Sequence, residues 1–286
     1  MISVAELKSD LELNKSLGAI IEALKSGSAI QLRQFQSKTK ALEEVSSVVE
    51  YVFSMLLRQK VRHPFLTGNP GLPACFVVVN TDNGFVGELN TAVANAALEA
   101  SGNSLDSFVV LGERGWNYFD DKNRQFARMP GLSEEIKPAE ISRLQEYLVK
   151  GYLRGDFGSV NVAYPQSGNV GAWKVRLDAL LPCGSAPESA AYAAEDKDPE
   201  GIFTTEPSAG AVMEGLVRFR LSFLLYNIAW TSKFSEFGAR LMHLEGSEQE
   251  LARMKQQLSL QYFKHVHSLA DKTIREIISS RLSRKQ

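Results

Sequence analysis

Proline is absent from residues 1–63 and from residues 208–286; all ten prolines lie between Pro64 and Pro207. Inside a helix, proline removes a backbone hydrogen bond and clashes with the preceding turn, at about 3 kcal/mol. Two long proline-free arms around a proline-bearing middle predict two long helices enclosing a compact insert. A continuous helix over the last arm would reach about 120 Å at the standard rise. No domain of a 286-residue chain is that wide.

The apolar spacing agrees. In the first arm Leu7, Leu11, Leu17, Ile20, Ile21, Leu24 and Leu32 recur at steps of three and four or small multiples, and Val45, Val48, Val49, Val52 and Leu56 continue the pattern. In the last arm Leu241, Leu244, Leu251, Met254, Leu258, Tyr262, Val266 and Leu269 form a narrow stripe, with Ile277 and Ile278 beyond. Narrow stripes are coiled-coil seams more often than broad globular faces. Neither arm is stable alone, because a helix gains most of its stability by packing an apolar face. The expectation is an antiparallel coiled coil of the two arms. Gly18, Gly27, Gly210, Gly215, Gly238 and Gly246 mark bends or close helix approaches, and a helical bundle broken at these glycines is the competing arrangement.

The middle reads as a Rossmann-like α/β insert. FVVVN (76–80) and FVVLG (108–112) are short β-branched runs of the buried-strand type, and the alanine-rich stretch 90–101 between them is helical. A strand–helix–strand unit implies a parallel pair with a right-handed crossover. Residues 138–151 predict another helix, and 159–165 and 173–182 later strands. Ala, Ser, Pro and acids dominate 184–207, which predicts a surface loop. The organisation is therefore an N-terminal coiled-coil helix over 1–63, an α/β domain over 74–183, a linker over 184–207 and a C-terminal coiled-coil helix over 208–286.

Bulk properties narrow the function. A net charge of −1 gives no overall pull toward nucleic acid. Cys75 and Cys183 form no pair motif, which indicates a reducing compartment. Glu6, Lys8, Asp10 and Glu12 interrupt any leader-like apolar start, and no apolar run approaches the roughly 20 residues of a membrane-spanning helix. A bacterial cytoplasmic location follows as the expectation.

No catalytic constellation stands out. The loop TDNGFVGELN (81–90) has the outline of a phosphate cradle, a strand followed by glycines and a helix. It lacks the third glycine of a dinucleotide fingerprint and the lysine of a Walker loop. A turn organised by Asp82 or Asn83, with Gly84 and Gly87 supplying unusual backbone angles, is the simpler reading. His265 and His267 are two apart and would face different sides of a helix, so they cannot chelate one metal. There is no C-x-x-C, H-E-x-x-H or G-x-S-x-G motif. The acid pairs Asp120–Asp121 and Glu134–Glu135 read as solvated loop residues, and the basic end RLSRKQ (281–286) as a solvated terminus. No cofactor or metal is expected.

Several motifs then occur in the order found in one family. TDNGFVGELN resembles the Ser/Thr-Asp-x-Gly-Leu-Cys-Gly-x-Leu-Asn segment of the gamma subunits of F-type ATP synthases, through Thr81, Asp82, Gly84, Gly87, Leu89 and Asn90. GERGWNYF (112–119) is similar to that family's Gly-x-Lys-Gly-x-x-x-Phe stretch, with Arg114 for lysine; LLP (180–182) and EPS (206–208) also match. SEFGARLMHLE (235–245) resembles Ser-Glu-x-x-Ala-Arg-Met-x-x-Met through Ser235, Glu236, Ala239 and Arg240. LSLQYFK (258–264) falls on Leu-x-Leu-x-Tyr-Asn-Lys, and Glu276, Ile277 and Ser279 on the family's ending. In the first arm, Ala23, Ala29, Arg33 and Gln36 align with the Ala-Met…Ser-Lys-Met-Arg stretch. Departures are Gln31 for that stretch's lysine, His265-Val266-His267-Ser268 for the family's Ala-Arg-Gln-Ala, and Ser280-Arg281 for its Gly-Ala. They mark a divergent member, of the main type or of an alternative N-ATPase type.

The resemblance implies a rotor shaft without chemistry of its own. The coiled coil would stand in a hexamer of alpha and beta subunits, with the insert as a foot on a membrane c-ring beside an epsilon-type subunit, at the cytoplasmic face of a bacterial membrane. Under that implication Gln31, Arg33, Ser235, Glu236, Arg240, His265 and His267 would couple rotor to hexamer; Leu251, Met254, Leu258 and Tyr262 would form the seam; and Thr81, Asp82, Gly84, Gly87 and Asn90 would shape the foot. A coiled-coil adaptor of similar layout, which would not join nucleotide-binding subunits, and a small-molecule enzyme using the insert, which would bind ligand alone, are the two other readings.

Overall fold

The computed structural model describes residues 3–57, 63–169, 171–183, 206 and 208–283. Apart from Glu206, the expected linker over 184–207 lies outside the described residues, as does the basic end from 284. Helix α1 runs over Val4–Leu57 and helix α5 over Ala209–Ser283, both unbroken. Ser208 starts α5, its hydroxyl accepting from the Ala211 amide at 3.2 Å. Between them lie β1 (Ala74–Val79), α2 (Leu89–Ala100), β2 (Ser107–Leu111), α3 (Glu113–Asp121), β3 (Ala127–Met129), α4 (Pro138–Arg154), β4 (Ser159–Asn169) and β5 (Ala172–Leu181). Among the described residues no helix is long and apolar enough to cross a membrane.

The chain divides into two compact units, residues 1–28 with 241–286 and residues 29–240. In the first, Asn14 Nδ2 donates to the Leu251 carbonyl at 3.3 Å and Lys25 pairs with Glu248 at 2.8 Å. Sequence numbers rise along one helix as they fall along the other, so the two segments are antiparallel. Leu7, Asn14 and Ser28 are buried, and Leu11, Gly18, Ile21 and Lys25 are half-buried between them. That line repeats every three and four residues, the spacing of a two-helix seam. Leu17, Ile20 and Leu24, expected in the same stripe, are exposed with Leu13. At about 100° per residue these four lie roughly a quarter-turn round the helix from the buried line. Two adjacent apolar stripes had merged in the sequence pattern.

The second unit holds a five-stranded sheet of order β3-β2-β1-β4-β5. β1 is parallel to β2 and β4, β2 is parallel to β3, and β4–β5 is an antiparallel hairpin. Phe76 lies opposite Phe108 in β2 and Asn161 in β4. The core on one face joins Phe76, Val78, Phe108, Val110 and Ala163 of the sheet to Val93, Ala94 and Ala97 of α2 and Phe119 of α3. Burial of strand residues is near-continuous, as sequence reading expected for β1 and β2. α3 and β3 were not foreseen, and Asp120 and Asp121 close α3 rather than lying in a loop; Asp120 pairs with Arg128 at 2.8 Å. In this unit too α1 and α5 run antiparallel. Phe35 packs on Trp230 with ring centroids 4.2 Å apart and on Phe237 at 5.5 Å, while Glu50 receives a two-pronged contact from Arg220 at 2.8 and 3.1 Å. Of the six glycines in the two long helices, only Gly238 marks a close approach: a methyl there would stand 3.4 Å from the Gly171 amide nitrogen.

Candidate functional site

The segment of α5 from Ile228 to Arg240 is enclosed on nearly every side, unlike an ordinary surface helix with one buried stripe. Phe35 of α1 covers Trp230 and Phe237. Ser235 Oγ–H reaches the Pro165 carbonyl of β4 at 3.1 Å and shares its proton with the Thr231 carbonyl at 2.9 Å. Gly238 meets the tip of the β4–β5 hairpin at Gly171. Ala239 packs with Val86, Leu89 and Trp173. Ser235, Gly238 and Ala239 fall on neighbouring positions of the helix, and their small side chains let two pieces of the α/β domain approach its backbone.

Three charged side chains lie in this enclosure. Glu236 accepts from Lys233 Nζ at 2.8 Å through Oε2 and from Arg240 Nη2 through Oε1. Arg240 Nε also donates to the Gly84 carbonyl at 3.2 Å. Both cations lie over the Phe237 ring, at 5.7 Å for Lys233 and 5.5 Å for Arg240. Glu236 is 3% exposed and Arg240 7%. Side chains this deep need partners, and the network supplies them.

The Gly84 carbonyl is held by a stiff turn. Asn90 Oδ1 accepts from the Thr81 amide at 3.0 Å and from Asn80 Nδ2 at 3.1 Å, and Asn90 Nδ2 donates to Thr81 Oγ1 at 2.9 Å. Thr81 Oγ1 in turn donates to the Asn83 carbonyl at 2.6 Å. Asp82 Oδ1 accepts the Glu113 amide at 3.0 Å, capping α3 from a distance. The start of α3 fits against this turn only because of its glycines. Gly112 sits at φ +89, with an added Cβ 2.6 Å from the Asn80 oxygen, and a Cβ on Gly115 would stand 2.6 Å from Val110 Cγ1. The two motifs, TDNGFVGELN and GERGWNYF, are thus one interlocked unit. Asn90 Oδ1 takes up the Thr81 amide, a donor that a phosphate cradle would offer to its anion.

Ser235, Glu236 and Arg240, expected from sequence to face a hexamer, point instead into the chain and bond to it. Lys233, Phe237 and Trp173 complete the site and were not foreseen. The i, i+3 and i, i+4 spacing of Lys233, Glu236 and Arg240 was the available signal for the first. Gln31 is half-buried and Arg33 exposed; His265 is half-buried, with Nδ1 2.9 Å from the Gln261 carbonyl, and His267 is exposed. Of the expected seam, Leu251, Leu258 and Tyr262 are half-buried, whereas Met254 is 45% exposed. Met254 stands about 60° round the helix from Leu251, while Leu258 and Tyr262 return to within about 20° of it. Off the seam, the end of α5 presents Leu260, Phe263, Leu269, Ile274, Ile277 and Ile278, all exposed.

A family model described as ATP synthase matches residues 3–281. The chain is 25% identical over 290 residues to the ATP synthase gamma chain of Anaeromyxobacter dehalogenans strain 2CP-C, covering 98% of both chains. It is 25% identical over 283 residues to that of Pelotomaculum thermopropionicum, covering 97% of this chain and 98% of the relative. Among solved structures, a chain of the Euglena gracilis mitochondrial ATP synthase (OSCP/F1/c-ring) shares its fold with a TM-score of 0.69 at 14% identity, covering 98% of this chain and 94% of the other. A chain of the Tetrahymena thermophila mitochondrial ATP synthase central stalk and c-ring does so with a TM-score of 0.61 at 18% identity, covering 80% and 99%.

Proposed function

The chain belongs to the ATP synthase family as a gamma-type central-stalk subunit of the rotary enzyme, and we propose that its paired helices carry torque between a membrane ion ring and a catalytic hexamer. The partners are the alpha and beta subunits of the hexamer, an epsilon-type subunit and the c-ring, and the site of action is the cytoplasmic face of a bacterial membrane. The shaft itself performs no chemistry. Its surface differs from side to side, so as it turns it favours a different nucleotide state in each beta subunit. An interface with discrete states responds only to such differential contacts.

One observation carries this reading. The end of α5 exposes Phe263 at 58%, Leu260 at 57% and Ile274 at 55%, with Leu269, Ile277 and Ile278 close behind. The first helix adds exposed Leu13, Leu17, Ile20 and Leu24. Large apolar surface of this extent marks a binding face, and a surrounding sleeve of subunits is the partner that covers a helix on several sides. Gln31, Arg33, His265 and His267 supply polar contacts to that sleeve. Val266 and His267 stand where the resembled family's motif carries Arg-Gln.

The test is co-expression with alpha, beta and epsilon subunits, followed by size-exclusion chromatography and ATPase assay. The expected result is a single complex containing this chain, whose ATP hydrolysis drives ion transport once the ring is added. A chain that elutes apart from the hexamer overturns the proposal.

A further inference from the structure

We propose that Ser235 and Arg240, the latter held by Glu236 and through it by Lys233, form a two-point clasp that locks α5 against twisting within the α/β domain, and that this segment acts in coupling through the clasp. The inference rests on the central-stalk reading and assigns these residues a positioning role inside the chain.

A helix can be held by apolar packing or by directional bonds. Apolar packing, such as Ala239 against Val86, Leu89 and Trp173, resists separation but has no preferred direction. A shaft packed only in this way can turn within its socket. Hydrogen bonds are directional and weaken steeply when bent. The enclosed segment of α5 makes two of them to separate parts of the domain: Ser235 to the Pro165 carbonyl of β4, and Arg240 to the Gly84 carbonyl of the 81–88 turn. The residues are five apart, so at about 100° per residue their side chains leave the axis roughly 140° from one another. Twist in either sense stretches at least one bond.

The remaining groups stiffen the second point. Glu236 fixes the guanidinium from one side, and Lys233 fixes Glu236 from the other. Gly84 is backed by Arg114, whose Nη2 would stand 3.1 Å from an added Cβ. The turn behind Gly84 is tied by Asn90 and Thr81. An i, i+4 pair serving only the helix needs no burial and no outside acceptor. Here burial of charge is tolerated where a bond leaves the helix and fixes geometry, the use for which buried polar groups are best attested.

The experiment uses the complete reconstituted complex and reads ions transported per ATP hydrolysed, with R240A, R240K, S235A and the S235A/R240A pair. A clasp predicts that the ratio falls about tenfold in the pair, the factor by which losing a charge-assisted hydrogen bond weakens a junction. R240K, which keeps the charge beside Glu236 but cannot also span to Gly84, falls nearly as far as R240A. A merely destabilised chain lowers the yield of complex and leaves the ratio unchanged. The decisive arm is G84C/R240C with a short bis-maleimide bridge: bridging restores the ratio if the role is mechanical. An unchanged ratio in the pair, or no recovery on bridging, overturns the clasp. Failure of the unaltered chain to assemble or to couple overturns the central-stalk reading instead.

Discussion

Replacing Glu50 with alanine tests the interhelical tie of the 29–240 unit. Glu50 receives both prongs of Arg220, at 2.8 and 3.1 Å, and the Arg220 side chain is only 8% exposed. Removing one partner of a buried pair typically costs about 3–5 kcal/mol, because the other charge stays buried and uncompensated. Two features lower that figure here. Glu50 is 23% exposed, so water reaches the gap. Arg220 also keeps the Phe53 ring, 4.6 Å from its guanidinium carbon, a contact worth about 0.5–2 kcal/mol. The expected loss is about 2–3 kcal/mol. Trp116, Trp173 and Trp230 all belong to this unit, so tryptophan emission during urea denaturation reports on it alone. With a slope of about 2 kcal/mol per molar urea the midpoint drops by roughly 1–1.5 M. Glu50→Leu with Arg220→Met should recover most of the loss, since a well-packed apolar pair replaces a buried ion pair at little cost. A single-variant loss below about 0.5 kcal/mol, the range of an ordinary surface change, would refute the reasoning.

Three further perturbations follow from the same structure. Gly112→Ala places a methyl 2.6 Å from the Asn80 oxygen at φ +89 and should cost about 3 kcal/mol or more, read as a lowered melting temperature with loss of amide-exchange protection in the 80–90 turn. Phe237→Ala empties a fully buried site between Phe35 and two cations, with an expected loss of about 3–5 kcal/mol in urea denaturation. Burial pushes the Cys75 thiol up to about 12. Since the unfolded thiol ionises near 8.5, its contribution is complete below that pH and is lost as pH rises toward 12, by about 1.4 kcal/mol per pH unit. Cys75→Ala should remove that part of the alkaline slope, and an unchanged slope would contradict it.

The long helices were legible because one negative signal, the absence of proline, extends over whole arms and cannot be produced by short elements. β1 and β2 were legible from their β-branched runs. β3, of three residues, offers no periodicity to read. α3 was obscured because Gly112 and Gly115 at its start serve the close fit to Asn80 and Val110 rather than helix propensity. The seam was legible in spacing but not in detail. Buried positions of α1 include Asn14 and Ser28, while leucines a quarter-turn away stay exposed. A hydrophobicity pattern ranks those residues the wrong way round, since it cannot see which stripe finds the partner helix. The segment 235–240 stands out in the sequence as a motif, but the direction in which its side chains point was not readable. Small and charged residues at helical spacing suit an outer contact as well as a socket, and only the tertiary fold shows Pro165, Gly171 and Gly84 closing round them.

The central claim is that this chain turns inside a hexamer, and single-molecule rotation tests it most directly. With the hexamer fixed to a surface and a bead attached through N103C, on an exposed turn of the α/β domain, ATP should drive stepwise rotation in one direction. A complex that contains the chain and hydrolyses ATP while the bead stays still would contradict the account.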